Sequence, residues 1–283
     1  MSASDSKAIS IGLEPSGVLK AEATNFPNDI FYNMNFEKRG IALIFNHETF
    51  GVPADERPAS RYDRDALACR LAELGFDVDV NDDYRVKDIQ DKLGEVAFDV
   101  DHSNHDCLVV AIFTHGTGPG TLLAYDGEYR FEDVWTNFTP DICPSLAGKP
   151  KIFITQACRG EKVQNAVEMV QYEHDGNSVL YTIPTHADFL FAHSTIPDYL
   201  SFKRGNGSWY IQSLCKELLL NGKTYDFVKL LTFVSRRVAI EFESSCNTPE
   251  LDGKRQIPCF TSMLTRLIKF SDKKRLKYVY SCK

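Results

Sequence analysis

The sequence has no apolar run approaching the roughly 20 residues that cross a bilayer as a helix. Its first ten residues, MSASDSKAIS, lack the basic-then-apolar form of a secretion signal. These two absences point to a soluble, non-secreted protein with no membrane partner. Positive charge is not in excess either: 32 lysines and arginines against 39 aspartates and glutamates leave a net charge of −7, which argues against nucleic acid as a partner. The eight cysteines do not form a disulfide framework, because they are scattered through helix-like and strand-like segments of a long chain. Cys69, Cys107, Cys215 and Cys259 stand among apolar residues and are expected as reduced, buried thiols. The first stretch of the sequence also fits no folded docking module. Residues 1–30 are small and polar, carry Pro15, Gly17 and Pro27, show no sustained period, and read as a short flexible arm.

What the chain does have is alternating order. At 283 residues and 43% hydrophobic, it can bury one substantial core or two modest ones. Ile41–Phe45 reads as a buried strand. Ala66, Leu67, Leu71 and Leu74 have helical spacing, with Asp63 placed to cap the start and Gly75 to end it. Phe76–Val80 alternates as a half-buried strand, and Ile89, Leu93 and Val96 mark a second helix. The apolar run Cys107–Phe113 follows, then a glycine-rich loop, a hairpin turned at Asp126-Gly127, and the strand Lys151–Thr155. Beyond it, Ala187–Ser194 reads as a strand, Ser208–Leu220 as a helix stopped by Gly222, Tyr225–Phe242 as a helix, and Ile257–Leu264 as a last strand. Strand, helix, strand, helix, strand calls for right-handed crossovers and a largely parallel sheet, an α/β fold.

Two of these strands end in reactive side chains. Lys151–Thr155 runs into Gln156-Ala157-Cys158-Arg159-Gly160, and Cys107–Phe113 runs into Thr114-His115-Gly116. In open α/β sheets ligands bind beyond the carboxyl ends of the strands, and adjacent parallel strands would bring this cysteine and histidine together. A free thiol, with a pKa of about 8.5, is mostly protonated at neutral pH, so a catalytic one gains from a nearby imidazole. Taken alone, a cysteine or a histidine after a strand is more often structural. Their joint placement is what counts.

Gln-Ala-Cys-Arg-Gly is the local signature of caspases, which carry a histidine about 50 residues upstream; His115 stands 43 residues before Cys158. The resemblance extends through YNMNFEKRGIALIFNH from residue 32, CPSLAGKPKIF from 143, HADFLFAHST from 186, GSWYIQSLCKEL from 207 and IPCFTSMLTR from 257. It covers roughly residues 31–272, and is strongest to executioner caspases of insect type. The fold it implies is a three-layer αβα sandwich around a mostly parallel sheet, extended by dimerisation. The division it implies is a short prodomain at 1–30, a large catalytic subunit at 31–175 and a small one at 176–283. Residues 160–182 would be the cleavable linker, with Asp175 as the processing position and Asp29 as a further processing site. From composition alone, that stretch reads only as a surface loop.

By the same resemblance Cys158 is the nucleophile and His115 protonates the leaving amine, while the backbone N–H groups of Gly116 and Cys158 hold the oxyanion. No side chain in the sequence stands out as a third, orienting member. Arg57 and Gln156 match the pocket that takes the substrate aspartate, since a guanidinium offers a bidentate fork to a carboxylate. Here the chain departs from the family. The usual run Tyr-Ser-Trp-Arg-Asn is replaced by Leu200-Ser201-Phe202-Lys203-Arg204, one residue short of Gly207-Ser208-Trp209, so either Lys203 or Arg204 supplies the second cation. Phe202 and Trp209 are expected at the substrate, and Ser245 and Cys246 replace residues that are aromatic in some members.

The activity implied is that of a cysteine endopeptidase cutting after aspartate, made as a zymogen and acting in programmed cell death in the cytoplasm without a cofactor. The implied partners are protein substrates, a second copy of the chain through Ile257–Leu264, inhibitor-of-apoptosis proteins and an initiator caspase. The altered pocket loop motivates an alternative, a weak or inactive caspase-like regulator that modulates a paralogue by heterodimerisation. Other signals fall away. His102, His105 and Cys107 lack a second ligand pair for zinc. His115–Gly120 lacks the lysine of a phosphate cradle. Asn206-Gly207-Ser208 is a glycosylation sequon that has no meaning without secretion.

Overall fold

The computed structural model describes residues 25–273 apart from 27, 119, 159–183, 197–200, 202, 205 and 246–251, and at 203–204 the backbone alone. The chain begins its sheet with β1 (Ile41–Asn46), crosses by α1 (Ser60–Glu73) to β2 (Asp77–Asp82), and by α2 (Val86–Gly94) to β3 (Leu108–Phe113). A small antiparallel sheet follows, made of β4 (Gly116–Gly118), β5 (Thr121–Leu123) and β6 (Glu128–Arg130). The short α3 (Glu132–Trp135) leads on to β7 (Lys151–Gln156). Then come β8 (Phe189–His193), the two-residue strands β9 (Lys203–Arg204) and β10 (Gly207–Ser208), α4 (Trp209–Asn221), α5 (Phe227–Glu241) and β11 (Cys259–Ser262).

The main sheet has the order β11-β8-β7-β3-β1-β2, parallel except for β11, which runs antiparallel to β8. Its central strands are buried along their whole length, as parallel strands covered on both faces must be. Alternation divides their side chains between two cores. Ala42, Ile44, Val109, Ala111 and Phe113 face the layer of α1, α4 and α5, whereas Leu43, Phe45, Leu108, Val110 and Ile112 face the layer of α2 and α3. The expected αβα sandwich is what forms.

Element boundaries differ from expectation where a side chain found other work. Asp63 does not cap α1, which starts at Ser60; it sits in the first turn, and its carboxylate accepts from the Ser208 N–H and Gln212 Nε2. Gly75 does end that helix, at φ +93°, a conformation that glycine adopts without steric cost. β8 begins at Phe189 because Asp188 turns at φ +68°. α5 begins at Phe227 because Asp226 caps it, accepting from the Lys229 N–H.

Cys69 is buried as expected, but it is not reduced. It is joined in a disulfide whose partner lies outside the described residues. Cys107 and Cys215 are buried free thiols as expected, both pushed up by burial, whereas Cys259 is only half-buried and its Sγ donates to the Thr195 carbonyl at 3.3 Å.

Residues from 25 on already dock against the body. Phe31 bridges to Leu267, the Tyr32 hydroxyl donates to Asp188 Oδ1 at 2.6 Å, and the Thr265 N–H donates to the Tyr32 oxygen at 2.9 Å. His102 and His105, weighed above for zinc, hydrogen-bond each other through Nδ1 at 2.9 Å, while His102 Nε2 donates to the Val96 carbonyl at 2.8 Å. Among the described residues no helix is long and apolar enough to cross a membrane.

Candidate active site

β3 and β7 are parallel neighbours in register, Phe113 opposite Gln156, and the Thr114 N–H donates to the Gln156 carbonyl at 3.1 Å. The chain therefore leaves both strands at the same sheet edge. Two residues further on lie His115 and Cys158, both partly exposed. The approach is tight: a Cβ added at Gly116 would stand 1.9 Å from the Cys158 carbonyl oxygen, so only glycine lets the histidine loop lie against the cysteine turn.

His115 is oriented by the main chain. Its Nε2–H donates to the Asp55 carbonyl at 2.7 Å, and the Phe50 ring packs on it with centroids 5.1 Å apart. A carbonyl only accepts, so this bond fixes the proton on Nε2 of the neutral ring and leaves Nδ1 as the exchanging nitrogen. Residue types do not reveal such a partner, which is why no third member was visible in the sequence. Cys158 Sγ accepts from the Ser201 N–H at 3.5 Å, a contact of the substrate loop that sequence reasoning also missed.

Beside the sulfur lies a buried cation. Arg57 is 5% exposed and donates from Nη1 to the His47 carbonyl at 2.8 Å. Burial pushes the guanidinium down to about 10, against the pull of the Asp63 carboxylate and the Cys158 sulfur, so it stays charged at neutral pH. Gln156 is buried, donates from Nε2 to Ser201 Oγ at 2.7 Å, and has no partner for Oε1 among the described residues. A charged fork and an amide converging near the sulfur, one with an unanswered oxygen, are ready for a polar side chain from outside.

Asp63 supports this floor. Both carboxylate oxygens accept from the Ser208 N–H at 2.9 Å, and Oδ1 also accepts from Gln212 at 2.8 Å. Burial raises it to about 6, against those hydrogen bonds and the Arg57 charge. It thereby ties the start of α4, where Ser208 caps Ile211 N–H, to the helix that follows Arg57.

Lys203 and Arg204 form a hairpin with Ser208 and Gly207 respectively, and their side chains lie outside what is described. Phe202 and Asp175 also lie outside the described residues. Trp209 opens α4, is 3% exposed and stacks on Phe242 with centroids 5.4 Å apart. Asp29 is exposed and accepts from the Phe26 N–H, and it takes no part in this cluster.

Comparison with known proteins agrees with the geometry. The family model described as caspase domain matches residues 39–269. Caspase-1 of Drosophila melanogaster is 48% identical over 248 residues, 86% of this chain and 76% of that protein. Caspase drICE of the same organism is also 48% identical, over 86% of this chain and 73% of that protein. The crystal structure of Caspase-1 from Spodoptera frugiperda superposes with a TM-score of 0.83 at 41% identity, covering 90% of this chain and 100% of that one. A thiol and an imidazole at neighbouring strand ends, on a sheet of this order and in a sequence this similar, leave one conclusion: the chain belongs to the caspase family, as an apoptotic cysteine endopeptidase of the executioner type.

Proposed function

We propose that Cys158 and His115 cut protein substrates after aspartate. The sulfur of Cys158 attacks the scissile carbonyl carbon, forming a C–S bond, and the N–H groups of Cys158 and Gly116 receive the oxyanion. The thiol proton of Cys158 passes to His115 Nδ1, since Nε2–H is held by the Asp55 carbonyl, and collapse breaks the C–N bond as Nδ1 gives that proton to the departing amine. Water then hydrolyses the thioester. Arg57, Gln156 and one cation from the β9 hairpin, Lys203 or Arg204, take the aspartate, while Phe202 and Trp209 wall the adjoining subsite. The observation that carries this reading is the contact of the Gly116 backbone with the Cys158 carbonyl beside the buried guanidinium of Arg57.

The same reading has the chain made as a zymogen cut after Asp175, giving a large piece at 31–175 and a small one at 176–283, with Asp29 as the site that removes the arm at 1–30. It places the protein in the cytoplasm and makes it a homodimer whose contact includes β11, an edge strand half-exposed at Cys259 and Phe260 and open at Thr261 and Ser262. Inhibitor-of-apoptosis proteins and an initiator caspase would act on it. Similarity to executioner caspases does not favour the regulator alternative.

The test uses tetrapeptide reporters ending in Asp, Glu, Asn or Ala. Turnover of the Asp reporter, abolished in Cys158→Ala, supports the reading, and Asp175→Ala should stay uncut and weakly active. Turnover of Glu or Asn in preference to Asp overturns the pocket assignment. Lys203→Ala and Arg204→Ala identify the second cation: the variant that loses about 30-fold or more in kcat/KM marks it.

A further inference from the structure

His115 and Gly116 present a second face to a separate cleft. Together with Val52, Pro53, Asp55, Leu123 and Glu128 they line an open cavity of about 460 Å³. Arg57, Gln156 and Ser201 do not border it, so it is a separate space from the aspartate pocket that shares the histidine. The amine that leaves receives its proton from this histidine, and the substrate chain beyond the cut must run past its outer face.

We infer that this cleft binds the residues following the cut and selects a lysine or arginine among them; the inference rests on the protease reading above. Two features make it specific. The floor is apolar, with Leu123 6% exposed and Val52 half-buried. The rim is acidic: the side chains of Asp55 and Glu128 are exposed, and among the described residues neither carboxylate has an ion-pair or hydrogen-bond partner. No lysine or arginine lines the cleft among the described residues. A long aliphatic stem with a terminal cation matches both, lying along Leu123 and Val52 while its charge reaches the carboxylates in water. An acidic residue in the same place meets like charge instead.

The experiment uses the full-length protein and quenched peptides that share their residues up to the aspartate. These carry lysine, glutamine or glutamate at the first or the second position after the cut. A short aspartate reporter ending in a dye amine runs beside them. Exposed pairs are individually weak, so the expected span from lysine to glutamate is about tenfold in kcat/KM. It should reside mainly in KM and shrink towards unity as salt rises from about 50 mM to about 0.5 M. Glu128→Lys should invert the order. Each enzyme is judged by the ratio of two peptides, so any loss of folded protein cancels. Equal turnover of the three peptides, or an unchanged order in Glu128→Lys, overturns the inference. If the short reporter is turned over while the peptides show no order, this inference alone fails; if wild-type protein turns over neither, the protease reading fails with it.

Discussion

Gly116→Ala tests the proposed reaction centre through a single methyl group. The added Cβ would stand 1.9 Å from the Cys158 carbonyl oxygen and 3.0 Å from its carbon. Carbon and oxygen do not approach closer than about 3 Å without bonding, so the histidine loop or the cysteine turn must retreat by about 1 Å. A displacement of that size at reacting groups costs about 100-fold in rate, equivalent to about 2.7 kcal/mol of barrier, and overpacking lowers stability by about 1–3 kcal/mol besides. Gly118→Ala is the control, since nothing lies within 4 Å of its added Cβ. Both variants would be compared with wild type in kcat/KM on an Asp reporter, with thermal unfolding run in parallel so that loss of fold is separated from loss of geometry. The expectation is about a 100-fold deficit for Gly116→Ala and less than a twofold change for Gly118→Ala. Gly116→Ala activity within threefold of wild type would show that the backbone approach does not position the chemistry.

Arg57→Gln removes the buried fork and should lower kcat/KM on the Asp reporter by roughly 30-fold to several thousand-fold, with Arg57→Lys milder because the charge remains; equal turnover by both variants and wild type would remove Arg57 from the pocket. Asp63→Ala orphans the Ser208 N–H and the Gln212 amide and strips the countercharge near Arg57, so a loss of about 3 kcal/mol is expected in urea unfolding, and a midpoint within error of wild type would refute it. His47 is fully buried, with neither ring nitrogen partnered among the described residues, and burial pushes it down to about 4. Below about pH 6.5 the unfolded chain takes up a proton that the folded one refuses until near pH 4, so stability falls with acid across that window. Asp63, raised to about 6, contributes with the opposite sign, so the comparison is with His47→Gln: wild type should lose about 2 kcal/mol more than the variant between pH 7 and pH 5, and parallel pH curves would sink the assignment.

Legibility followed period and residue type. β1, β3 and β7 were readable because an unbroken apolar run of about six residues between polar turns is too short for a helix and too apolar for a loop, and the placement of Cys158 and His115 followed from them. Gly116 and Arg57 came from the family resemblance, and the structure supplies their physical reasons. What stayed hidden has no signature in side-chain type. The acceptor that orients His115 is a main-chain oxygen of Asp55, which any residue would provide. Asp63 looked like a cap because a cap and a buried tether use the same carboxylate, and only the position of Ser208, 145 residues later, tells them apart. Ser201 meets the sulfur through its backbone. The burial of Cys69 was readable from its neighbours, but its disulfide was not, because the residue type is the same for a thiol and a half-cystine.

The ladder between β7 and β8, with the clasp of Phe31 and Tyr32 onto Leu267, Asp188 and Thr265, carries a consequence for a chain cut in two. Any break in the chain between Cys158 and Pro184 leaves four strands of the sheet on one fragment and two on the other, still hydrogen-bonded across the seam. The fragments would migrate separately in detergent yet elute as one species from a sizing column, and parting them would require unfolding the sheet itself. A cut there would therefore leave the scaffold beneath the sulfur in its shape.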